Sequence, residues 1–291
     1  MQSMDSVPGL SALDGASAER SQTPATAGVR GATLLGAAAR SWFVVASAGQ
    51  WLFVAYIVAF YGLAMVNGDL ARWGKFLTHG LMPGDTIGNL ALATHLAMAA
   101  IITACGPLQL IPQLRVRFPR VHRWTGRLYL VTALAASTSA LYLLWIRNER
   151  VAGDLVQHLG ISIDAALIGV CAAMALRYAR RRRFDLHRRW AIRLFLAVSA
   201  VWFFRVGLFF WLIVNQGPVG FDPKTFQGPF LDFWSAADSL LPFAVFEVYW
   251  RVRERGSRAS RALVGGGIFA LTGAMGVGIF GAFMNLWLPN L

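Results

Sequence analysis

Four imidazoles stand in or beside long apolar runs. His95 and His158 lie within two of these runs, and His122 and His187 lie at the starts of two others. At 1.5 Å of rise per residue, His95 is roughly 12–14 Å and His158 about 5 Å from one membrane edge. His122 and His187 fall at the other edge. The alternation gives an outer pair, His95 with His158, and an inner pair, His122 with His187. Two imidazoles from facing helices are the axial ligands of a b-type haem, so four would hold two haems. Residues four, seven and eleven positions on share a helical face. From His95 these are Ala99, Ile102 and Gly106; from His158, Ser162, Ala165 and Gly169; from His122, Gly126, Tyr129 and Ala133; from His187, Ala191, Leu194 and Val198. Three faces are mostly small, which leaves room for a flat macrocycle. Small faces also let bare helices pack closely. Histidines at helix starts can equally sit among lipid headgroups beside their arginines. His79, in a loop, reads as a surface residue.

Charged residues inside the apolar runs add to the pattern. Arg205 lies in WFFRVGLFF at the level of the outer histidines. Eighteen residues separate it from His187, five turns of one helix, so the two would share a face. A membrane arginine needs a partner or an aqueous cavity. Asp164 and Asp238 fall at comparable depth, and an ion pair with either would fix helix packing. The functional counterpart is a grip on a haem propionate or an anionic substrate. Near the inner edge Arg123, Arg127, Arg188, Arg189 and Arg193 surround His122 and His187. Guanidinium forks suit carboxylates, so Arg127 and Arg193 are candidates to hold propionates or an anionic reductant. Glu247 is placed to neutralise one of them. The run of arginines at 180–183 reads as topogenic and lipid-facing.

The elements that carry these residues are membrane helices. Of 291 residues, 56% are hydrophobic and 14% charged. Apolar runs long enough to cross about 30 Å of hydrocarbon recur. They predict an all-α polytopic fold with seven transmembrane helices near 41–66, 86–112, 124–146, 155–178, 189–214, 233–250 and 262–288. Residues 1–40, rich in Ser, Ala, Gly, Thr and Pro, read as a disordered cytoplasmic tail, and 41–291 as the membrane domain with its core at 85–214. Nineteen basic residues fall on the side of the N-terminus and five on the other. This asymmetry sets the N-terminus in the cytoplasm and the C-terminus outside, in a bacterial inner membrane. The net charge of +13 is thus topogenic and argues for no nucleic acid partner. Cys105 and Cys171 sit in apolar runs and read as packing residues. Ala270, Ala274, Gly278 and Ala282 give the last helix a seam for close packing. No nucleotide loop, nucleophile elbow or HExxH zinc site is present.

HRWTGRLY at 122–129, HRRWAIR at 187–193, GPLQL at 106–110 and the arginine of the fifth helix carry a resemblance. Over about 85–214 the chain resembles bacterial predicted membrane proteins of domain of unknown function 2306. That resemblance implies an integral membrane protein and no established activity. In arrangement alone the chain is similar to the four-helix di-haem transmembrane cytochromes b. That second likeness implies haem b on histidine pairs at two levels.

Three functions follow. The first is a transmembrane electron carrier with two b-type haems on His95/His158 and His122/His187, reduced by quinol or another small reductant. The second is a non-redox transporter or a binder of small molecules or lipids, using an outer cluster of His95, His158, Asp164, Arg205 and Asp238. The third is a structural protein that binds membrane lipids and partner helices. The helix pairs at 85–146 and 155–214 look like a parallel duplication, which suits either of the first two.

Overall fold

In the computed structural model of the chain, residues 24–76, 80–147 and 153–291 are described. Eight long helices order them: α1 Pro24–Ile57, α2 Thr86–Leu110, α3 Pro119–Trp145, α4 Leu155–Arg180, α5 Phe184–Val198, α6 Ala200–Val214, α7 Pro229–Arg255 and α8 Arg258–Ala282. No strand occurs among the described residues, so the fold is all-α as expected. Five stretches are long and apolar enough to cross a membrane: Thr33–Val66 and Arg258–Asn290, together with α2, α3 and α4. The α5/α6 pair, bent by 53°, makes a sixth if it is one span. The seventh expected span, α7, matches the others in length. It carries Asp232, Asp238, Glu247 and terminal arginines, and does not reach the same apolar measure.

Local chemistry sets the helix ends. Asp85 caps α2 by accepting from Gly88 N–H at 2.8 Å, and Asp154 caps α4 by accepting from Gln157 N–H at 3.0 Å. Pro119 and Pro229 open α3 and α7, where a missing N–H costs nothing. Ile111, forced extended by the following Pro112, ends α2.

Two expectations change. The helix α1 begins at Pro24, inside the stretch 1–40 assigned to a disordered tail. The reason is packing: Leu35 and Ala38 are buried against Ile268 of α8. Residues 1–23 lie outside the described residues, as does His79. The second change is at Ser199, where the expected continuous helix 189–214 breaks. The Ser199 hydroxyl donates back to Phe195 O at 2.7 Å and accepts from Gln50 Nε2 of α1 at 2.9 Å. Back-bonding with an inserted polar group is a recognised cause of a sharp bend. His187 and Arg205 therefore sit on two differently directed helices and share no face.

The helices pack as pairs. In sequence-neighbour pairs, α2 lies along α3 and α4 along α5; α3 also meets α4. Beside them α1, α8 and α6 form a second group, and α7 touches α4, α6 and α8. An aromatic core of Phe53, Tyr56, Phe60, Trp202 and Trp287 fills the second group. Of the expected small seam on α8, Gly278 and Ala282 are buried, with Gly278 against the Val206 backbone, whereas Ala270 is exposed. Both cysteines are free; Cys171 is buried and Cys105 half-buried.

Candidate functional site

One cavity of about 1670 Å³ opens at the arginine-rich end of the helices and reaches inward. Both inner histidines line it, on α3 and α5. His187 donates its Nδ1–H to Ala175 O of α4 at 2.9 Å, which leaves Nε2 with the lone pair. His122 lies close enough to Arg115 to feel its charge. Deeper, the wall is Phe203, Gly207, Phe210, Trp234 and Asp238. The cavity is thus mostly apolar within, with Asp238 in its wall, and mainly basic at its mouth, where Asp185 also lines it.

The motifs at this end have local reasons. Gln109 of GPLQL donates to Thr125 Oγ1 of HRWTGR at 2.6 Å, tying α2 to α3. A Cβ on Gly126 would come within 3.2 Å of that Gln109 side chain, so Gly126 serves the helix contact. Gly106 is covered by the Phe195 and Tyr129 rings. These small residues admit neighbours, while Gly169 has nothing near it.

The inner arginines divide by partner. Arg193 Nε meets Glu247 Oε1 at 2.8 Å, the neutralisation expected of Glu247. Arg189 pairs with Glu254. Arg127 stacks on Trp124, 4.9 Å from the ring centre, and lines the cavity. Arg188 lies in the field of both Arg115 and Arg253. All three line the cavity, and none forms an ion pair among the described residues.

The residues expected in one outer cluster stand in three places. His95 Nδ1 donates to Ala136 O at 3.1 Å, with Ser139 Oγ also 3.1 Å away, on α3. His158 sits edge-on to Trp145, ring centres 5.8 Å apart, with its Nε2 buried and unpartnered. No hydrogen bond or ring contact joins His95 to His158 among the described residues. Asp164 and Asp238 meet through Ser239, whose hydroxyl lies 2.9 Å from Asp164 Oδ1 and 3.3 Å from Asp238 Oδ1.

Arg205 pairs with neither aspartate, which corrects the expected ion pair. Its guanidinium turns to α1 and lies over Phe53, 5.2 Å from the ring centre. Its Nη1 donates to Val201 O of its own helix, at 3.0 Å. The bend at Ser199 is the physical reason, since it re-aims the whole of α6.

Sequence reasoning missed a further polar centre. Arg147, counted only as a loop charge, meets Asp85 Oδ2 at 2.9 Å, Asn89 Oδ1 at 2.9 Å and Gly80 O at 3.1 Å. Arg115 and Arg253 at the cavity mouth, Tyr56 and Tyr61 near Arg205, and Ser239 were missed also. Only Ser239 had a local signal, as the neighbour of Asp238.

All four histidines and Arg205 fall within one stretch that is similar to known sequences. Residues 92–221 match the family described as Predicted membrane protein (DUF2306). The match runs from α2 through the loop after α6, in agreement with the resemblance over 85–214. No curated protein and no solved structure matches the chain. The DUF2306 description names a membrane protein and no activity.

Proposed function

We propose that this membrane protein binds an anionic amphiphile, of membrane-lipid type, in the cavity at its basic end. The observation that carries the reading is the trio Arg115, Arg188 and Arg253, cationic neighbours at the mouth of an apolar cavity with no ion pair among the described residues. Three like charges held together repel, and an anionic headgroup relieves that repulsion while its apolar body fills the space behind. The basic asymmetry of the sequence supports placing this end at the cytoplasmic face of a bacterial inner membrane, with the N-terminus inside and the C-terminus outside. Membrane lipids are then both solvent and ligand.

The test uses the full chain purified in detergent. Thermal unfolding is followed with added phosphatidylglycerol or phosphatidylcholine, and co-purified lipid is identified by mass spectrometry. The expected result is stabilisation by the anionic lipid alone, lost in the Arg188→Gln/Arg253→Gln protein. Equal stabilisation by both lipids, or by anionic lipid in wild type and variant alike, overturns the reading.

A second reading has its own observation. His122 and His187 line the same cavity, and the Nδ1–H···O=C bond of His187 is the outer-shell contact that orients a metal-binding imidazole. In a b-type haem site here, His122 and His187 would hold the iron and Arg127 would take a propionate. Arg193 is engaged by Glu247. Haem would supply one-electron redox chemistry, with quinol or a small reductant as donor. His95 and His158 pack against different turns of α3, and the reading is made for the His122/His187 pair alone. Spectra of the purified protein, air-oxidised and then dithionite-reduced, decide this reading. A reducible Soret band lost in His187→Ala supports it; a colourless protein that hemin leaves unchanged overturns it.

A further inference from the structure

Arg205 lies apart from the basic cavity, whose lining does not include it. Arg205 is half-buried on α6 and belongs to an apolar stretch. Of its five N–H donors, one is given to Val201 O, on its own helix. Phe53 lies under the guanidinium. The Tyr56 and Tyr61 phenols and His95 are near enough to interact with its charge. No carboxylate pairs with it among the described residues: Asp85, Glu247 and Glu254 are matched to other arginines, and Asp164 and Asp238 are joined through Ser239. Arg72, the other cation of this neighbourhood, is turned to the Phe60 ring and to Asn290 O.

A guanidinium in a membrane interior requires a counter-charge or water. One such charge in apolar surroundings balances one negative charge; a second would again be unpaired and costly. A carboxylate presents two oxygens in the plane that matches the fork, with its single charge spread over both. Phe53, with the Tyr56 ring stacked on it, forms an apolar wall beside the guanidinium, against which an apolar or aromatic body behind that carboxylate would lie. The remaining neighbour refines the choice. His95 has committed its Nδ1–H to Ala136 O, so its Nε2 offers a lone pair. As a neutral imidazole it accepts a hydrogen bond, from a hydroxyl for example, and adds no second cation.

We infer that Arg205, with the hydroxyls of Tyr56 and Tyr61, forms a binding site for a monocarboxylate carrying an apolar or aromatic body.

The probe is benzoate, titrated calorimetrically into the detergent-purified full chain, with benzyl alcohol and inorganic phosphate as controls. Benzoate is expected to bind saturably, and benzyl alcohol and phosphate at least tenfold more weakly, as expected for loss of a charge-assisted hydrogen bond. Arg205→Met is expected to weaken benzoate by about tenfold or more, and Arg205→Lys to retain part of the affinity. If Arg205→Met does not fold, Tyr56→Phe/Tyr61→Phe, which keeps both rings, reads the same site and is expected to weaken benzoate several-fold. No saturable benzoate binding to wild type overturns the inference. So does an affinity unchanged in Arg205→Met, or in the tyrosine double variant where that one is used. Phosphate binding as tightly as benzoate also overturns it, because it would show a site with more than one positive charge.

Discussion

At the basic end of the molecule, arginine after arginine lies without a carboxylate, stacked on a tryptophan or reaching towards water: Arg127 on Trp124, Arg253 on Trp250. Inside the bundle the unmatched charges are few. Arg205 lies over a phenylalanine, and Asp164 and Asp238 share one serine hydroxyl. The difference is in what an unpaired charge costs. Near water, a flat guanidinium resting on an indole face is stabilised by about 0.5–1 kcal/mol and keeps its hydration. Away from water, the same group needs a partner. A surplus at the basic end thus fits the headgroup binding proposed above, whereas an unmatched interior charge calls for a ligand or a proton.

The largest effect expected from this contrast is at a buried arginine that is fully matched. Arg147 has a side chain 8% exposed and is bonded to Asp85, Asn89 and Gly80. Arg147→Met leaves Asp85 without its cation and frees the loop before α2. We expect a loss of about 3 kcal/mol, seen as a lowered unfolding temperature in detergent. Arg127→Met, at the basic end, is expected to change stability by less than about 0.5 kcal/mol. Equal losses in the two variants would erase the distinction between the regions.

Arg147 also shows where sequence reading stops. Apolar runs place α2, α3, α4 and α8 because length and hydropathy are local properties, and the helix-start histidines follow from those boundaries. His122 and His187 thus come to one cavity as their common level implied. The pairing of Arg193 with Glu247 was legible for the same reason, both lying near one end of adjacent helices. The Arg147 contacts join residues on either side of two helices, and no periodicity records them. The bend at Ser199 depends on Gln50, from a helix distant in sequence. Without that bend Arg205 is assigned to the aspartates; with it, Arg205 faces α1. The small faces were equally ambiguous, since Gly106 and Gly126 fit a macrocycle or a neighbouring side chain equally well until Phe195 and Gln109 are seen on them.

A smaller effect, of opposite sign, is expected at the interior carboxylates. Asp238 is 7% exposed and meets Asp164 through Ser239, with no ion pair to either among the described residues. Two carboxylates at that separation oppose each other's ionisation. Asp238→Asn keeps the shape and removes the repulsion. We expect stability at neutral pH to rise by about 1 kcal/mol, and Asp164→Asn added to it to bring little more. A marked loss in Asp238→Asn would mean that the pair holds a cation, and the interior would then be balanced after all.

The smallest effect tests the boundary between the two regions, at Arg193 and Glu247. The pair is well formed, Nε to Oε1 at 2.8 Å, yet its side chains are 18% and 46% exposed. Water reaches the carboxylate, so its attraction is screened, and a coupling of about 0.5 kcal/mol is expected. A double-mutant cycle of Arg193→Gln and Glu247→Gln in detergent measures it. The Trp190 and Phe246 rings flank the guanidinium at 4.7 and 5.5 Å, and hold it in place when the carboxylate is removed. A coupling of about 3 kcal/mol would instead class the pair with Arg147, and would move the boundary of the water-screened region outward past Arg193.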